Sequence, residues 1–224
     1  MDLEEEIITS KSLVSKGDTM KVLLVNGSPH PKGCTYTALE HIAGALHEED
    51  IETEIMDLGA KPIQDCIACG KCKTTGLCVF NDVANEIIEK AKECDGFIFG
   101  SAVHYSHPTG KLLNVLSRVF YAGGKEFKHK PASSVVSARR AGTSSSLDVI
   151  NKYFTINEMP VVSSTYWNQV HGHTPEEVLQ DEEGMDVMYA LGKNMAWLLK
   201  CIEVGKANGI DTPVNKKRGT NFIR

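Results

Sequence analysis

Four of the seven cysteines lie within a stretch of thirteen residues, which reads "CIACGKCKTTGLC". They are Cys66, Cys69, Cys72 and Cys78, and their spacing is C-x2-C-x2-C-x5-C. Iron–sulfur ligation often uses such two-residue gaps, because a tight loop must point several thiolates inward at one cluster. Gly70 and Gly76 would allow the backbone to bend closely around it. The spacing therefore favours a [4Fe-4S] cluster held by these four cysteines.

Two other uses of the cysteine stretch remain open, namely zinc binding and free or redox-active thiols. Zinc ribbons usually divide their ligands into two distant pairs, and this sequence has no second pair. Disulfides between such close neighbours would form strained loops. Lys71 and Lys73 would offset the negative charge of a bound cluster. Cys94 and Cys201 lie in helical patterns, where we expect them to be small buried hydrophobic residues.

The composition is that of an ordinary globular protein. The 224 residues, 42% hydrophobic and 24% charged, fit one α/β domain. The net charge of -5 offers no basic surface to nucleic acid or an anionic membrane. No apolar run is long enough to span a bilayer, and the acidic start lacks the features of a signal peptide. We therefore expect a cytoplasmic protein with reduced thiols and without nucleic-acid or membrane partners.

Four apolar runs and one alternating run predict the strands of a sheet, with helical patterns between them. The runs lie at residues 21–27, 51–58, 95–103, 132–138 and 159–165. Asp82 is the predicted cap of one helix, and the longest helix is predicted over residues 176–205. This alternation indicates a parallel, doubly wound α/β sheet. Such sheets bind ligands at the carboxyl ends of their strands, where the polar loops of this chain would meet.

The loop after the first strand has the features of an anion site. The stretch "NGSPHPKGCT" joins a strand to a helix, so it would direct backbone N–H groups and the positive helix end at one point. Ser28 and Thr35 add hydroxyl groups. The loop matches neither a Walker A loop nor G-x-G-x-x-G. A phosphate other than that of a nucleoside triphosphate or dinucleotide is favoured, and a polar turn without a ligand is the alternative.

Three separated motifs resemble those of one known family. The stretch "GSPHPKGCT" resembles the G-S-P-x-x-x-G-N-T loop of the NADPH-dependent FMN reductase and flavodoxin-like superfamily. The stretch "FGSAVHYSHPTGKLLNVLSRVF" resembles its second flavin loop, and the cysteine stretch resembles the motif of its iron–sulfur flavoprotein branch. The resemblance implies a flavodoxin-like five-stranded parallel sheet in the order 2-1-3-4-5, with helices on both faces. The implied domain covers residues 20–224, with a cysteine-rich loop at 60–80, and follows an N-terminal arm of residues 1–19.

The resemblance also implies which residues surround a bound FMN. Around the phosphate it places Ser28, Gly33, Cys34, Thr35 and Tyr36. Around the isoalloxazine ring it places Ser101, Ala102, Val103, His104, Tyr105 and Ser106, and from the loop after the fourth strand Ala138, Arg139, Gly142 and Thr143. Tyr105 is the aromatic residue best suited to stack on the ring, whereas Arg139 and Arg140 are alternatively solvated surface charges. His30, Cys34, Ala102 and His104 depart from the usual family residues, but backbone donors survive these changes.

The cofactor of an FMN protein performs the chemistry, while the protein binds, orients and tunes it. We therefore expect no catalytic side chain. Three function classes remain open. The first is an FMN oxidoreductase with a [4Fe-4S] cluster that passes electrons from a ferredoxin-like donor to a small-molecule acceptor. The second is an NAD(P)H-dependent FMN, quinone or nitro reductase without a cluster, and the third is a non-enzymatic flavin-fold redox sensor.

The arm of residues 1–19 is weakly apolar. We expect it to pack on its own domain or on a partner subunit. Members of the resembled family are commonly dimers or tetramers, so the resemblance implies a homodimer or homotetramer.

Overall fold

A parallel sheet of five strands forms the middle layer of the protein, in a computed structural model that describes residues 19–216, 218–220 and 222. The parallel strands are β1 (Lys21–Asn26), β2 (Glu52–Asp57), β3 (Gly96–His104), β5 (Ala132–Ala138) and β6 (Gln169–His171). A two-residue strand, β4 (His107–Pro108), pairs antiparallel with the end of β3. The sheet order is β2-β1-β3-β5-β6, which confirms the predicted order of the five parallel strands.

Helices cover both faces of this sheet. They are α1 (Cys34–His47), α2 (Cys72–Thr75), α3 (Val83–Ala91), α4 (Gly110–Gly123), α5 (Thr143–Ile156), α6 (Pro175–Val178) and α7 (Glu182–Ala207). Val22 and Leu24 of β1 pack on the face covered by α1 and α7. Leu23 and Val25 pack on the opposite face, which α3, α4 and α5 cover. The continuous apolar run of β1 follows from burial on both faces.

The fifth parallel strand lies ten residues later in the chain than the sequence pattern predicts. In the apolar run 159–165, only an isolated bridge between Val161 and Ala132 joins the sheet. The Ser164 hydroxyl donates to the carbonyl of Tyr166, 2.7 Å away, and this local turn redirects the chain. Regular pairing resumes at Gln169–His171, beside the carboxyl end of β5. The prediction at 159–165 was therefore wrong about the segment, though the topology is unchanged.

Two further expectations differ from the structure. The long helix predicted over 176–205 is divided into α6 and α7, because Asp181 caps the start of α7 by accepting from the N–H of Gly184 at 3.0 Å. Cys201 is exposed, so its predicted burial was wrong, whereas Cys94 is buried as predicted. Asp82 caps α3 as expected. The predicted arm lies outside the described residues except for Thr19, and none of the described helices is both long and apolar enough to cross a membrane.

Candidate functional site

Three loops meet at the carboxyl ends of the strands, and we call this region the carboxyl edge: residues 27–33, 101–109 and 138–143. Thr109 joins the first two loops. Its hydroxyl donates to the carbonyl of Gly27 at 2.8 Å, and its N–H donates to the hydroxyl of Ser101 at 2.9 Å. Ser145 joins the third loop to the second by donating to the carbonyl of Ser106 at 2.8 Å. The loops that hold most of the predicted flavin residues thus form one connected surface.

Two glycines permit this close approach. A Cβ on Gly27 would lie 2.8 Å from the carbonyl oxygen of Gly100 and 2.9 Å from Leu112. Gly142 has φ +93°, and a Cβ there would lie 2.6 Å from the Cα of Ser106. Because both contacts involve backbone, a side chain at either position would push two loops of the carboxyl edge apart.

The helices that follow the five parallel strands differ in how they are capped. The side chains of Asp82, Thr109 and Asp181 cap α3, α4 and α7 by accepting a hydrogen bond from a backbone N–H in the first turn. In contrast, α1 and α5 follow Gly33 and Gly142, and within the described chain neither has a side-chain cap or an acidic residue in its first turn. First-turn N–H groups have no partner inside a helix, so these two ends can receive an anion or a polar ring edge.

Side chains of the first loop mostly serve the loop itself. Ser28 is buried, and its hydroxyl accepts from the N–H of His30 at 3.2 Å. The hydroxyl of Thr35 lies 2.8 Å from that of Ser137, which ties α1 to the end of β5. Tyr36 lies on the outer side of α1, where the Nζ of Lys32 is 3.6 Å from the centroid of its ring. Backbone N–H groups are therefore the main donors that this loop presents.

Cys34 is half-buried at the start of α1. Burial raises the pKa of its thiol, because desolvation disfavours the thiolate. Its Sγ lies 3.8 Å from the carbonyl oxygen of Gly172. The residue at this family position is thus a neutral thiol packed beside the loop after β6.

The second and third loops present exposed groups. Tyr105 is fully exposed and, like Ser106, has a positive φ, +48° and +64° respectively. Arg139 and Arg140 are exposed as well. The ring of Tyr105 and the guanidinium of Arg139 are free to meet a ligand, and their predicted contacts with the flavin remain predictions.

The second cluster of predicted site residues lies along α4, away from its first turn. All four clustered cysteines line one surface pocket with a cavity volume of about 30 Å³, which we call the cysteine pocket. They are Cys66, Cys69, Cys72 and Cys78. The N–H of Ala68 donates to the Sγ of Cys66 at 3.4 Å, and Gly70 and Gly76 have positive φ, as the sequence predicts for a tight loop. Among the described residues, no three His, Cys, Asp or Glu side chains are grouped closely enough for a single metal ion.

Arg118 of α4 forms the inner wall of the cysteine pocket, and its side chain is fully buried. Its Nε donates to the Sγ of Cys78 at 3.2 Å. Its two terminal nitrogens donate to both carboxylate oxygens of Asp82, at 2.6 and 2.8 Å, and to the carbonyls of Gln64 and Phe80. Desolvation lowers the pKa of Arg118, but the hydrogen bonds to Asp82 and Cys78 outweigh it and raise the pKa overall.

Sequence reasoning missed the role of Arg118. The available signal was its position in the apolar stripe of α4, three residues after Val115 and next to Val119, both of which are buried. An arginine on the inward face of a helix requires a buried partner. Asn85 was missed too, and its amide clamps the backbone of Cys78 by accepting from its N–H at 2.8 Å and donating to its carbonyl at 3.0 Å.

Residues 20–174 match the family model described as NADPH-dependent FMN reductase. The chain belongs to the NADPH-dependent FMN reductase family. The matched segment contains all three loops of the carboxyl edge and the cysteine pocket, and it ends immediately before α6. Family membership makes the chain a flavin-dependent oxidoreductase and confirms the resemblance found in its motifs.

Relatives in this family include proteins named for an iron–sulfur centre. An iron–sulfur flavoprotein of Methanocaldococcus jannaschii is 32% identical over 82% of this chain and 100% of its own length. A second iron–sulfur flavoprotein of the same organism is 29% identical over 75% of this chain and 91% of its own length. A solved archaeal flavodoxin aligns with a TM-score of 0.56 at 14% identity, covering 81% of this chain and 99% of the flavodoxin. The fold is thus flavodoxin-like.

Proposed function

We propose that this FMN reductase family member is an iron–sulfur flavoprotein that passes electrons between a [4Fe-4S] cluster, FMN and a small-molecule acceptor. The observation that carries the proposal is that all four clustered cysteines line one pocket. Thiolates are the usual ligands of such clusters, and the donor set of the pocket fits one. The relatives named iron–sulfur flavoproteins support the same reading.

The carboxyl edge fits FMN. In the proposed site, the uncapped first turn of α1 binds the phosphate through the N–H groups of Cys34, Thr35 and Tyr36, beside Ser28 and Gly33. The isoalloxazine ring lies against residues 101–106 and against Ala138, Arg139, Gly142 and Thr143. FMN supplies the exchange of single electrons or electron pairs at its ring. The residues of the chain bind and orient the ring, and the positive charge of Arg139 favours electron uptake by it.

Helix α4 connects the two proposed cofactor sites. Its cap, Thr109, holds the carboxyl edge together, and Arg118 holds the cysteine pocket. Nine residues of helix separate these side chains, which is about 13 Å along the axis. Lys111 and Asn114 lie between them and donate to the carbonyls of Gly59 and Ile63 at the start of the cysteine loop. One rigid element thus sets the relative position of both sites.

The two sites indicate the chemical class of the electron donor and of the electron acceptor. A cysteine pocket near the surface suits a ferredoxin-like one-electron donor, and an exposed ring suits stacking of the nicotinamide of NAD(P)H. The family description names NADPH. We propose that such a donor reduces the protein, that a small molecule accepts the electrons from FMN, and that a reducing cytoplasm preserves the thiols.

Iron and sulfide analysis of protein purified without oxygen tests the proposal. We expect about four iron atoms and four sulfides per chain, together with FMN identified by mass after denaturation. Cys69→Ala should lose most of the iron and retain FMN, whereas Cys201→Ala, at an exposed cysteine outside the pocket, should retain both.

Other results would select the alternatives. Protein that contains FMN but no iron under these conditions would be a cluster-free NAD(P)H-dependent FMN, quinone or nitro reductase. Protein that contains FMN but reduces no acceptor with any donor would be a redox sensor. Recovery of FAD, or of no flavin after reconstitution, would contradict the proposed carboxyl-edge site.

We further propose that residues 20–224 form one domain that self-associates as a homodimer or homotetramer. Trp197 of α7 is two-thirds exposed, at 67%, and the exposed Cys201 lies one turn later on the same side. Exposed apolar surface of this kind is typical of protein interfaces. Light scattering at micromolar concentration should give a multiple of the chain mass, and deletion of residues 1–19 should weaken assembly more than FMN binding. A monomeric mass would contradict the proposal.

A further inference from the structure

Cys78 differs from the other cysteines of the pocket in having a permanently charged donor on its sulfur. We infer that Arg118 is a positioning residue for Cys78. The hydrogen bond from its Nε–H to the Sγ of Cys78 makes a cluster bound in the pocket easier to reduce. The inference rests on the proposed iron–sulfur function and concerns what sets its reduction potential. It is carried by the 3.2 Å contact between Nε and Sγ and by the geometry that holds it.

The guanidinium of Arg118 cannot turn away from the sulfur. A guanidinium has five N–H donors in a rigid plane. The terminal nitrogens use theirs on Asp82, Gln64 and Phe80, and these four bonds leave Nε directed at Cys78. The ring of Phe80, 5.1 Å away, covers the group. The direction of the Nε–H bond is therefore fixed by partners other than the sulfur.

The other side of Cys78 is fixed separately. Asn85 is buried and bonds both the N–H and the carbonyl of Cys78. Positioning of the backbone and electrostatic contact with the sulfur thus belong to two different side chains. Variants of Asn85 and of Arg118 can separate the two effects.

The expected direction follows from charge. When a low-potential one-electron donor reduces the cluster, one electron enters, no bond at Cys78 forms or breaks, and the negative charge on the sulfur ligands grows. A buried positive donor stabilises the more negative state, and hydrogen bonds to sulfur are among the factors that set cluster potentials. Loss of the bond should lower the potential.

Arg118→Lys isolates this bond. In lysine the atom after Cδ is the Cε methylene, which replaces Nε, while the ammonium stays within reach of Asp82. The variant therefore keeps the charge and removes the donor that faces the sulfur. We expect it to disfavour reduction about tenfold, which corresponds to about 59 mV for a one-electron couple, in a potentiometric titration followed by the EPR signal of the reduced protein.

Two control variants accompany it. Lys71→Gln removes an exposed positive charge from the same loop and, because water screens it, should change the potential much less. Asn85→Ala loosens the backbone of Cys78 without touching its sulfur, and should reduce iron retention while leaving the potential of the retained cluster close to that of the wild type. All titrations use protein with FMN bound and with iron content measured beforehand.

The outcomes are distinct. A lowered potential in iron-replete Arg118→Lys supports the inference, and if that variant loses its iron the measurement on the wild type described below decides. Full iron with an unchanged potential overturns it, as does an equal drop in Lys71→Gln. Wild-type protein without iron would instead refute the proposed function.

A measurement on the wild type keeps the inference testable if Arg118→Lys does not fold. Protein grown with ¹⁵N-arginine and reduced by one electron should show a ¹⁵N hyperfine coupling and an exchangeable proton coupling in pulsed EPR. Absence of both couplings would overturn the bond between Nε and a cluster ligand.

Discussion

The carboxyl edge and the cysteine pocket share helix α4 but are held together by different kinds of contact. At the carboxyl edge, strands β1, β3 and β5 set the positions of the loops, glycines allow them to meet, and backbone N–H groups are the main donors. The cysteine pocket has no sheet beside it among the described residues. Its shape depends on a few side chains, above all Arg118.

This difference predicts where the chain tolerates substitution. The departures from the resembled motifs, His30, Cys34, Ala102 and His104, all lie at the carboxyl edge or at the start of α1 beside it. A site made of backbone donors keeps its chemistry when side chains change. A site held by one buried guanidinium does not, because its loss removes hydrogen bonds from several partners at once.

The largest expected effect comes from Arg118→Ala. The substitution removes a fully buried side chain, deprives Asp82 of its charged partner and leaves the carbonyl of Gln64 without its donor. Breaking a buried pair costs about 3–5 kcal/mol, and we expect about 3 kcal/mol because Asp82 is partly exposed. Chemical denaturation should show this loss, and the folded fraction should lack iron but retain FMN. Arg140→Ala, at an exposed arginine, is the control. Equal loss of FMN and iron would show that the two regions are not independent.

The next largest effect is expected for Gly27→Val, which should damage the carboxyl edge and leave the cysteine pocket intact. The added side chain would collide with the carbonyl of Gly100 and with Leu112, and overpacking of this kind costs roughly 1–3 kcal/mol. We expect FMN to be lost while iron is retained, as measured by absorbance and iron analysis on the same sample. Gly44→Ala, where an added Cβ meets nothing within 4 Å, should leave both unchanged. Retention of FMN by Gly27→Val would contradict the backbone-based site.

A smaller effect is a difference in alkylation rate between the thiol of Cys34 and the exposed cysteine thiols. Burial raises the pKa of Cys34, so less thiolate is present at a given pH and its rate of alkylation should rise as the pH is increased. In iron-free protein at pH 8, we expect Cys34 to react several-fold more slowly with iodoacetamide than the exposed Cys66, Cys69 and Cys201. Peptide mass spectrometry of timed samples measures each rate. Added FMN should protect Cys34 further, and equal rates with and without FMN would place the flavin elsewhere.

The smallest effect tests stability that belongs to neither region. Glu49 pairs with Lys193 and Lys200 of α7, and these hydrogen bonds hold the pKa of Glu49 below its ordinary value. The pairing therefore stabilises the fold fully above the unfolded-state pKa of about 4.3, and the gain disappears as the pH falls through the lower folded-state value. Glu49→Gln should lower the Tm slightly at pH 7 and less at pH 3, and Glu203→Gln is the exposed control. A drop of equal size at both pH values would contradict the assignment.

The sequence by itself determined the class of fold and the family. Runs separated by helical patterns predicted four of the five parallel strands in place. A strand buried on both faces, such as β1, must be continuously apolar, whereas the edge strand β2 alternates. The cysteine spacing predicted a loop that gathers four thiols, and the three motifs predicted the family. These features are local in the chain, so their patterns can be seen without the fold.

Only the tertiary structure decided which distant residues meet. The fifth strand begins at Gln169 because the turn at Ser164 and the free edge of β5 favour pairing there over the more apolar run at 159–165. Arg118 contacts a cysteine 40 residues away. Partners so far apart leave no short-range pattern, since packing of α3 and α4 against the sheet is what brings them together.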